Sequence, residues 1–204
     1  MHTLRSEILK TIDPRDRQKW IENNLYKVDK NLSYLEGDNM LDYLHDIAIM
    51  QEFAAANRKA ILSVIVDSMN GHSFDEINSI HNYIDVQNKI LRKGAISAQD
   101  NELLVIPLNM RDGILICKGR GNSDWNYSAP HGAGRLYSRS AAKSTFSVDE
   151  YKEAMAGIYT TCINESTLDE APFVYKDFKE IMECIDPTVE IIDRLTPIFN
   201  FKAN

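Results

Sequence analysis

The sequence predicts an α+β fold in which a helical N-terminal third packs on a mixed β-sheet. Two observations indicate this fold. Apolar residues recur at the three- and four-residue spacing of helices over residues 1–70, whereas residues 72–127 contain short apolar runs separated by glycine-bearing turns. The length of 204 residues suits one sizeable domain. We therefore expect a single domain over residues 1–204, mainly helical over 1–70 and with mixed strands and helices over 72–204.

Two helices are predicted in the N-terminal third. Asp13 followed by Pro14 is a favourable pair for an N-cap and a first helical residue. Apolar residues at helical spacing follow this pair: Trp20, Ile21, Leu25 and Val28. The pair Gly37-Asp38 breaks the pattern, and a long amphipathic helix then runs from Met40 to a stop near Asn70-Gly71. We expect this long helix to be a scaffold that packs into the core.

The rest of the chain is predicted to alternate strands and short helices. Strands are expected at residues 80–85, 89–91, 103–106 and 114–117. Short helices are expected at residues 140–146 and 148–155, the second with Ser147 as its N-cap and Glu150 completing a capping box. A helix over residues 178–185 and an extended segment over residues 189–201 follow.

Charge and cysteine usage restrict the class of protein. A net charge of −7 argues against a simple basic-faced nucleic-acid binder, because phosphate contacts dominate such binding. The three cysteines form no Cys-x-x-Cys pair, so neither a disulfide framework nor a zinc knuckle is indicated. No apolar run reaches the roughly 20 residues of a membrane span, and a signal-peptide pattern is lacking. We expect a cytoplasmic protein with reduced thiols and no membrane partner.

The segment from Ser128 to Arg139, S-A-P-H-G-A-G-R-L-Y-S-R, carries the strongest indication of chemistry. Glycines on both sides of Ala133 let the backbone beside His131 approach a ligand closely or adopt positive φ. Such a loop can form an anion-binding concavity, and two arginines add positive charge. A histidine beside phosphate-binding groups suits phosphoryl or nucleotidyl transfer. The alternative is a glycine-rich surface turn. The residues concerned are His131, Gly132, Ala133, Gly134, Arg135 and Arg139.

The sequence H-G-A-G-R followed by S-R closely resembles the motif of the RtcB-type RNA ligases. The resemblance covers nearly the whole chain but only the C-terminal part of a family member. It implies a GTP- and Mn²⁺-dependent ligase that joins RNA 3′-phosphate or 2′,3′-cyclic phosphate ends to 5′-hydroxyl ends. It also implies that His131 attacks the α-phosphate of GTP and becomes a histidine–GMP.

Further segments extend the resemblance. His81-Asn82 precedes Arg92-Lys93-Gly94-Ala95, where the family has a metal-ligating histidine, an asparagine and an R-K-G-A segment. The resemblance implies His81 as a manganese ligand and Asn82 as a nucleotide contact, whereas a lone strand histidine is more often satisfied locally. Arg92 and Lys93 are candidates, with the two loop arginines, for contacts to phosphate or RNA.

The segment P-L-N-M-R-D-G, residues 107–113, occupies the place of the family's nucleotide-contacting P-G-S-M-G-T. It departs from that form, and an isoleucine stands where a second serine usually contacts the nucleotide. Arg111 or Asp112 is an alternative contact, and a simple strand–strand turn would explain the proline and glycine alone. The nucleotide contacts implied by position are Pro107, Leu108, Asn109, Met110 and Ile114.

Two C-terminal features complete the resemblance. D-E-A-P, residues 169–172, is followed by Y-K-D, and Tyr175 is expected either against the guanine or packed as a buried tyrosine. Lys202 matches a near-terminal lysine that reaches back to GMP in the family, although a lysine so near a terminus is ordinarily solvated.

The family's N-terminal metal motifs, D-x-x-C, G-x-x-N-H-F and H-x-G-S-R, do not occur in this sequence. One histidine cannot hold a tight metal site, because two-metal chemistry needs several protein ligands. We therefore expect the isolated chain to be inactive and to need an N-terminal half as partner. The alternative is a catalytically silent subunit that binds nucleotide or RNA.

Overall fold

The computed structural model describes residues 10–24, 34–72 and 75–201. The chain divides into two compact units, Met1–Met50 and Gln51–Asn204. Helix α1 (Arg17–Asn24) lies in the first unit, and the long helix α2 (Gly37–Ser68) begins there and continues into the second. The expectation of a single domain over residues 1–204 stays a prediction. Leu25 and Val28, which the first predicted helix included, lie outside the described residues.

Helix α1 begins later than predicted because Asp13 caps a turn and not the helix. The carboxylate of Asp13 accepts a hydrogen bond from the backbone N–H of Arg15 at 2.9 Å. The carbonyl of Asp13 accepts from the N–H of Asp16, also at 2.9 Å. Pro14 therefore lies in this turn, and the helix starts at Arg17.

Helix α2 starts at Gly37, so the predicted break at Gly37-Asp38 is its first turn. The expectation that this helix packs into the core is wrong, because none of its 32 residues is buried. Helical periodicity shows which residues share a face but not which part of a chain covers that face. Its exposed apolar residues are Met40, Leu41, Tyr43, Ile49, Met50, Phe53, Ile61, Val64 and Ile65.

The described strands form four small sheets, and the predicted α+β class is confirmed. Strand β1 (Tyr83–Asp85) pairs antiparallel with β2 (Ile90–Arg92), and β3 (Ala95–Ser97) pairs antiparallel with β6 (Ser128–Pro130). An antiparallel sheet contains β4 (Leu103–Asn109), the central β5 (Gly113–Gly119) and β8 (Val189–Leu195). Strand β7 (Tyr159–Thr160) pairs parallel with β9 (Phe199–Asn200). The sheet part is therefore divided among four sheets rather than gathered in one mixed sheet.

The β4–β5 hairpin forms the floor of the larger core. Alternate side chains of β4, Leu104, Ile106 and Leu108, are buried, as the two-residue period of a strand requires. On β5, Leu115 and Cys117 are buried beside them. These residues pack with the buried face of helix α5 (Phe178–Ile185), whose bounds match the prediction.

Two short helices support a second core. Helices α3 (Arg139–Thr145) and α4 (Val148–Ala154) lie within one residue of their predicted bounds. The predicted capping box of α4 is confirmed, with Ser147 and Glu150 bonding each other's backbone N–H. Short 3₁₀ helices span Ser123–Trp125, Glu165–Glu170 and Pro172–Val174.

None of the three cysteines, which all lie within the described residues, forms a disulfide. Cys117 and Cys162 are buried, whereas Cys184 is exposed. Burial raises the pKa of the Cys117 thiol to about 11. Within the described ranges, no helix is both long enough and apolar enough to cross a bilayer.

Candidate functional site

A cleft of about 860 Å³ in the second unit collects most of the predicted site residues. It lies between the 131–135 loop, the β4–β5 hairpin and the segment that follows β8. The predicted residues that line it are His81, Pro107, Leu108, Asn109, Met110, Ile114, His131, Gly132, Ala133, Gly134, Arg135, Arg139 and Tyr175.

His131 follows strand β6 and is held by the strand that pairs with it. The β3–β6 register places Ala95 opposite Pro130, so Gly94 lies beside His131. Nδ1 of His131 lies 2.6 Å from the carbonyl oxygen of Gly94. Since a carbonyl only accepts, Nδ1 carries the proton of the neutral ring and Nε2 carries the lone pair. The sequence therefore places at the cleft an imidazole whose lone pair lies on Nε2.

His81 stacks on His131, with ring centroids 5.1 Å apart and planes at 16°. Asn82, the expected nucleotide contact, does not line the cleft. Its side-chain oxygen accepts from the N–H of Gly94 at 2.6 Å. Gly94 is thus held at its N–H by Asn82 and binds His131 through its carbonyl.

The glycine loop packs directly on strand β4. The N–H of Ala133 donates to the carbonyl of Pro107 at 3.2 Å, and Ala133 itself is buried. Gly134 has a φ of +74°, a value that favours glycine. Its carbonyl accepts from the N–H of Lys176 at 3.2 Å. These bonds hold the loop against strand β4 on one side and against Lys176 on the other.

Arg135 and Tyr175 are paired in an isolated antiparallel β-bridge beside the cleft, and Glu170 contacts both side chains. The guanidinium of Arg135 lies over the Tyr175 ring, 5.1 Å from its centroid. The Tyr175 hydroxyl donates to Glu170 at 2.8 Å, and Nη1 of Arg135 lies 3.5 Å from the same carboxylate. Burial, together with the hydrogen bond to Glu170 and its charge, raises the pKa of Tyr175 to about 12. Glu170 also lines the cleft, although it was not among the predicted site residues.

A group of cations surrounds Asp169, whose side chain is 9% exposed. Nitrogens of Arg135, Arg139 and Lys143 lie 3.8, 3.7 and 3.3 Å from its carboxylate. Arg139 and Lys143 also line a recess of about 490 Å³ beside the cleft. Asp169 and Glu170 together offset two of these three cations, so one positive charge remains in excess and this border of the cleft suits an anionic ligand.

In the turn between β4 and β5, the polar side chains bond to one another and to the backbone of the turn. The side-chain oxygen of Asn109 accepts from the N–H groups of Arg111 and Asp112, at 2.9 and 2.8 Å. Its amide nitrogen donates to the Asp112 carboxylate at 2.7 Å. Burial alone would raise the pKa of Asp112, but hydrogen bonds from Arg111 and Asn109 outweigh it and leave the pKa lowered. Neither Arg111 nor Asp112 lines the cleft.

The residues at the end of β8 and after it also line the cleft, and they were not predicted as site residues. Leu195, Thr196, Pro197, Phe199 and Asn200 line it. Asn200 donates from Nδ2 to the carbonyl of Met110 at 2.8 Å, and Phe199 stacks on Tyr159 at 5.4 Å. Lys202, the expected GMP contact, lies outside the described residues.

Arg92 and Lys93 lie outside the cleft and border a separate recess of about 490 Å³. The side chain of Arg92 is 1% exposed and is committed to the protein. It donates to Ser128, Tyr83, Asp85 and the carbonyl of Tyr127. Lys93 is exposed.

The described residues do not by themselves fit a manganese site. No group of three or more histidine, cysteine, aspartate or glutamate side chains is arranged around a metal position in the part of the chain that the structure describes. His81 stacks on His131, and one nitrogen of the His131 ring is already bonded to Gly94.

Fold and cleft together define an α+β protein with a histidine pair in a cleft bordered by arginines. The family described as tRNA-splicing ligase RtcB matches residues 4–203, and the chain belongs to this family. The resemblance stated from the motifs is thereby confirmed.

The similar proteins are longer than this chain. The chain is 32% identical over 194 residues to the RNA-splicing ligase RtcB of Escherichia coli strain K12, which covers 85% of the chain and 47% of that protein. It matches RNA-splicing ligase RtcB1 of a second Escherichia coli strain with the same identity and coverage. The tRNA-splicing ligase RtcB of Aeropyrum pernix is 40% identical over 85 residues, 39% of this chain and 18% of the relative. The chain thus spans about half the length of the curated Escherichia coli relatives.

Proposed function

We propose that this chain is the nucleotide-binding part of a GTP- and Mn²⁺-dependent RNA ligase that joins 3′-phosphate or 2′,3′-cyclic phosphate ends to 5′-hydroxyl ends. The observation that carries the proposal is the position of His131, whose Nδ1 is held by Gly94 in a cleft that the glycine loop and Arg135 also line. Membership of the RtcB family supports the reaction class.

In this proposal Nε2 of His131 forms a bond to the α-phosphorus of GTP. The bond from that phosphorus to the oxygen bridging to the β-phosphate breaks, and pyrophosphate leaves. The carbonyl of Gly94 stabilises the ring as positive charge develops on it, because the hydrogen bond from Nδ1–H strengthens. Arg135 offsets the negative charge at phosphorus, whereas the N–H of Ala133 is already bonded to the carbonyl of Pro107.

The ligation steps follow from the same site. The GMP passes to an RNA 3′-phosphate, which a cyclic end must first become by hydrolysis. A 5′-hydroxyl then attacks the activated 3′-phosphorus, and GMP leaves as the new phosphodiester forms. Arg139 at the cleft and Lys143 in the adjoining recess hold the RNA phosphates, because both side chains are cations.

An N-terminal half of the ligase is the partner that this proposal requires. The described residues do not fit a manganese site alone, so we assign the remaining metal ligands to that half. The chain's length relative to its relatives is consistent with such a division.

A second candidate is a catalytically silent subunit that binds nucleotide or RNA. The same observation favours it, namely that no three-ligand group exists among the described residues. It differs from the first candidate in predicting that the histidine is never labelled, even when an N-terminal half is present.

The test is transfer of label from α-³²P-GTP to protein in the presence of Mn²⁺. We expect little labelling of the chain alone and acid-sensitive labelling after addition of the N-terminal half of a related ligase. His131→Ala should abolish it, since the nucleophile is gone. His72→Ala is the matched control, because this exposed histidine does not line the cleft. Strong labelling of the chain alone would contradict the need for a partner. Labelling that survives His131→Ala would overturn the site, and an unlabelled pair would favour the silent subunit.

A further inference from the structure

A second concave site adjoins His131 through the pairing of β3 with β6. It is the recess of about 490 Å³ that Arg92 and Lys93 border, and we call it the flanking recess. Gly94 and Pro130 also line it. Gly94 holds Nδ1 of His131 through its carbonyl, and Pro130 precedes His131 in the chain. A ligand in the flanking recess therefore lies close to the residue that we propose as the nucleophile.

The flanking recess carries an exposed aromatic side chain. Trp125, in the 3₁₀ helix Ser123–Trp125, lines the recess and is 56% exposed. Leu91, which is 73% exposed, lines the recess with it. Within the described part of the chain no other ring stacks on Trp125, so its exposed surface is available to the ring of a ligand. Stacking on a nucleic-acid base is a common use of such a side chain.

The charge of the flanking recess favours an anion. Arg92 and Lys93 line it, and none of the described residues that line it is acidic. Asp124 and Glu183, each next in the chain to a lining residue, are exposed and do not line it. Arg92 is paired with Asp85 at 3.2 Å, whereas Lys93 is exposed and forms no ion pair with any described residue. One uncompensated ammonium is thus left to attract a phosphate.

A side-chain amide is also available in the flanking recess. The hydroxyls of Ser128 and Thr188 donate to backbone carbonyls of the protein at 2.7 and 2.8 Å. The amide of Asn126, by contrast, forms no hydrogen bond with any described residue. An amide both donates and accepts, so it pairs with a base edge or with a ribose 2′-hydroxyl. An exposed ring, an ammonium and an amide together suit a nucleotide of single-stranded RNA.

We propose that the flanking recess holds a nucleotide of single-stranded RNA near the end to be joined, with its base on Trp125 and its phosphate at Lys93. This inference rests on the proposed function, which supplies RNA as the substrate. A ligase must hold two RNA ends, and two separate recesses lie beside His131, one with Arg139 and Lys143 and the other with Trp125 and Lys93. Because every base has a flat face, the flanking recess accepts RNA without sequence preference.

The first experiment is fluorescence titration of the 204-residue chain with single-stranded RNA of mixed sequence at low salt. The chain has two tryptophans, so Trp20→Phe leaves Trp125 as the reporter, and we expect RNA to quench it. Oligonucleotides with only a 3′-phosphate or only a 5′-hydroxyl as the reactive end identify which end lies here. In anisotropy of labelled RNA, Trp125→Ala should weaken binding at least about tenfold. Tyr34→Ala is the matched control, since Tyr34 is 68% exposed and lies outside the recess.

The second experiment tests the phosphate contact. Lys93→Met should lower the slope of log affinity against log salt concentration by about 0.7, as expected for the loss of one phosphate contact to a single strand. Lys152→Met is the matched control, because Lys152 is exposed and lines neither the cleft nor either recess. An unchanged slope in Lys93→Met would overturn the assigned phosphate position.

The third experiment locates RNA in the recess of the unaltered chain. Cys184 lines the flanking recess and is exposed, whereas the other two cysteines are buried. Saturating RNA should slow alkylation of Cys184 by a maleimide at least about fivefold, and Cys184→Ser identifies the reacting thiol. Quenching and alkylation leave the recess unaltered, so neither depends on the folding of a recess variant.

The outcomes separate this inference from the proposed function. RNA that neither quenches Trp125 nor protects Cys184 would overturn the inference alone, since labelling of His131 by GTP requires no RNA. Self-association of the chain that requires Trp125 and is unaffected by RNA would assign the recess to a second copy, and would also overturn it. An unlabelled His131 in the reconstituted pair would instead contradict the proposed function.

Discussion

Nδ1 of His131 lies 2.6 Å from the carbonyl oxygen of Gly94, and this pair determines which ring nitrogen is available for chemistry. The pairing of β3 with β6 creates the relationship, because it places the residue before β3 beside the residue after β6. Gly94 has a φ of +67°, and a Cβ there would lie 3.6 Å from the ring. Backbone geometry thus sets the tautomer of the imidazole.

The first prediction is that the neutral His131 ring carries its proton on Nδ1. Two-bond ¹H–¹⁵N correlation spectra of histidine-labelled protein report the tautomer directly. His131→Gln identifies the signals by removing them, and His72→Gln serves as the control for a histidine outside the cleft. A neutral ring protonated mainly on Nε2 would contradict the hydrogen bond to Gly94 and leave no lone pair facing the cleft.

The second prediction concerns how the stability of the folded chain changes at alkaline pH. The pKa of Tyr175 is raised to about 12 by burial and by Glu170. Since the folded pKa exceeds the unfolded value of about 10, neutral Tyr175 contributes stability that is complete below pH 10 and is lost as the pH rises through about 12. Tyr151 has the same direction of shift, to about 12, chiefly through burial.

Glu170→Gln should lower the pKa of Tyr175, because it removes a negative charge 2.8 Å from the hydroxyl. Ultraviolet titration of tyrosinate measures this, with Tyr175→Phe to identify the transition. Glu165→Gln, an exposed change in the same 3₁₀ helix, should leave the titration unaltered. An unshifted transition in Glu170→Gln would mean that burial alone sets the pKa.

The sequence predicted those parts of the site that are contiguous or carry a motif. His131 and its loop are adjacent in the chain, and family resemblance added Pro107 and Tyr175, which line the same cleft. Glu170 was missed because its partner Arg135 is 35 residues away and nothing local marks the pair. The cleft residues between Leu195 and Asn200 were not predicted, because the register of β5 on β8 that brings them to the cleft is set by tertiary packing.

Short strands, which show little local sequence pattern, were also not predicted. Strands β3, β6 and β7 are three residues long or shorter, too few for a two-residue period to show. Arg92 and Lys93 are neighbours of the same charge, so nothing in the sequence predicts that their exposures differ. The structure buries the first and exposes the second.

The third prediction uses two glycines with similar backbone strain. Gly113 has a φ of +84° and Gly157 a φ of +89°, so alanine at either position costs about 1–2 kcal/mol in the left-handed region. A Cβ at Gly113 would also lie 1.9 Å from the Leu195 carbonyl oxygen, whereas one at Gly157 meets nothing within 4 Å. In urea unfolding, Gly113→Ala should therefore cost at least about 2 kcal/mol more than Gly157→Ala. Equal losses would show that β8 does not lie against this turn.

The fourth prediction separates Arg92 from Lys93. Arg92→Met leaves Asp85 without its cation and deprives Tyr83, Ser128 and the Tyr127 carbonyl of a donor. We expect a loss of about 3 kcal/mol of unfolding free energy, typical of breaking a buried ion pair. Lys93→Met, the matched neighbour, should change stability by less than about 0.5 kcal/mol because it is exposed. Similar small losses for both variants in urea unfolding would contradict the buried network.

The last prediction concerns the exposed apolar residues of helix α2. Ile61, Val64 and Ile65 are 51%, 64% and 50% exposed and lie three and four residues apart, so they share one face. An apolar face of this kind favours association, and we expect the chain to self-associate and to bind 8-anilinonaphthalene-sulfonate. Val64→Glu should weaken self-association about tenfold in sedimentation velocity, in line with the roughly 1.5 kcal/mol available from burying a valine. Because Val64 is already exposed, the unfolding free energy should change by less than about 0.5 kcal/mol. Ile198→Glu, at a position 90% exposed outside the helix, tests whether any apolar-to-charged change has the same effect. A monomer that binds no dye, or a large loss of stability in Val64→Glu, would mean that this face is covered in solution.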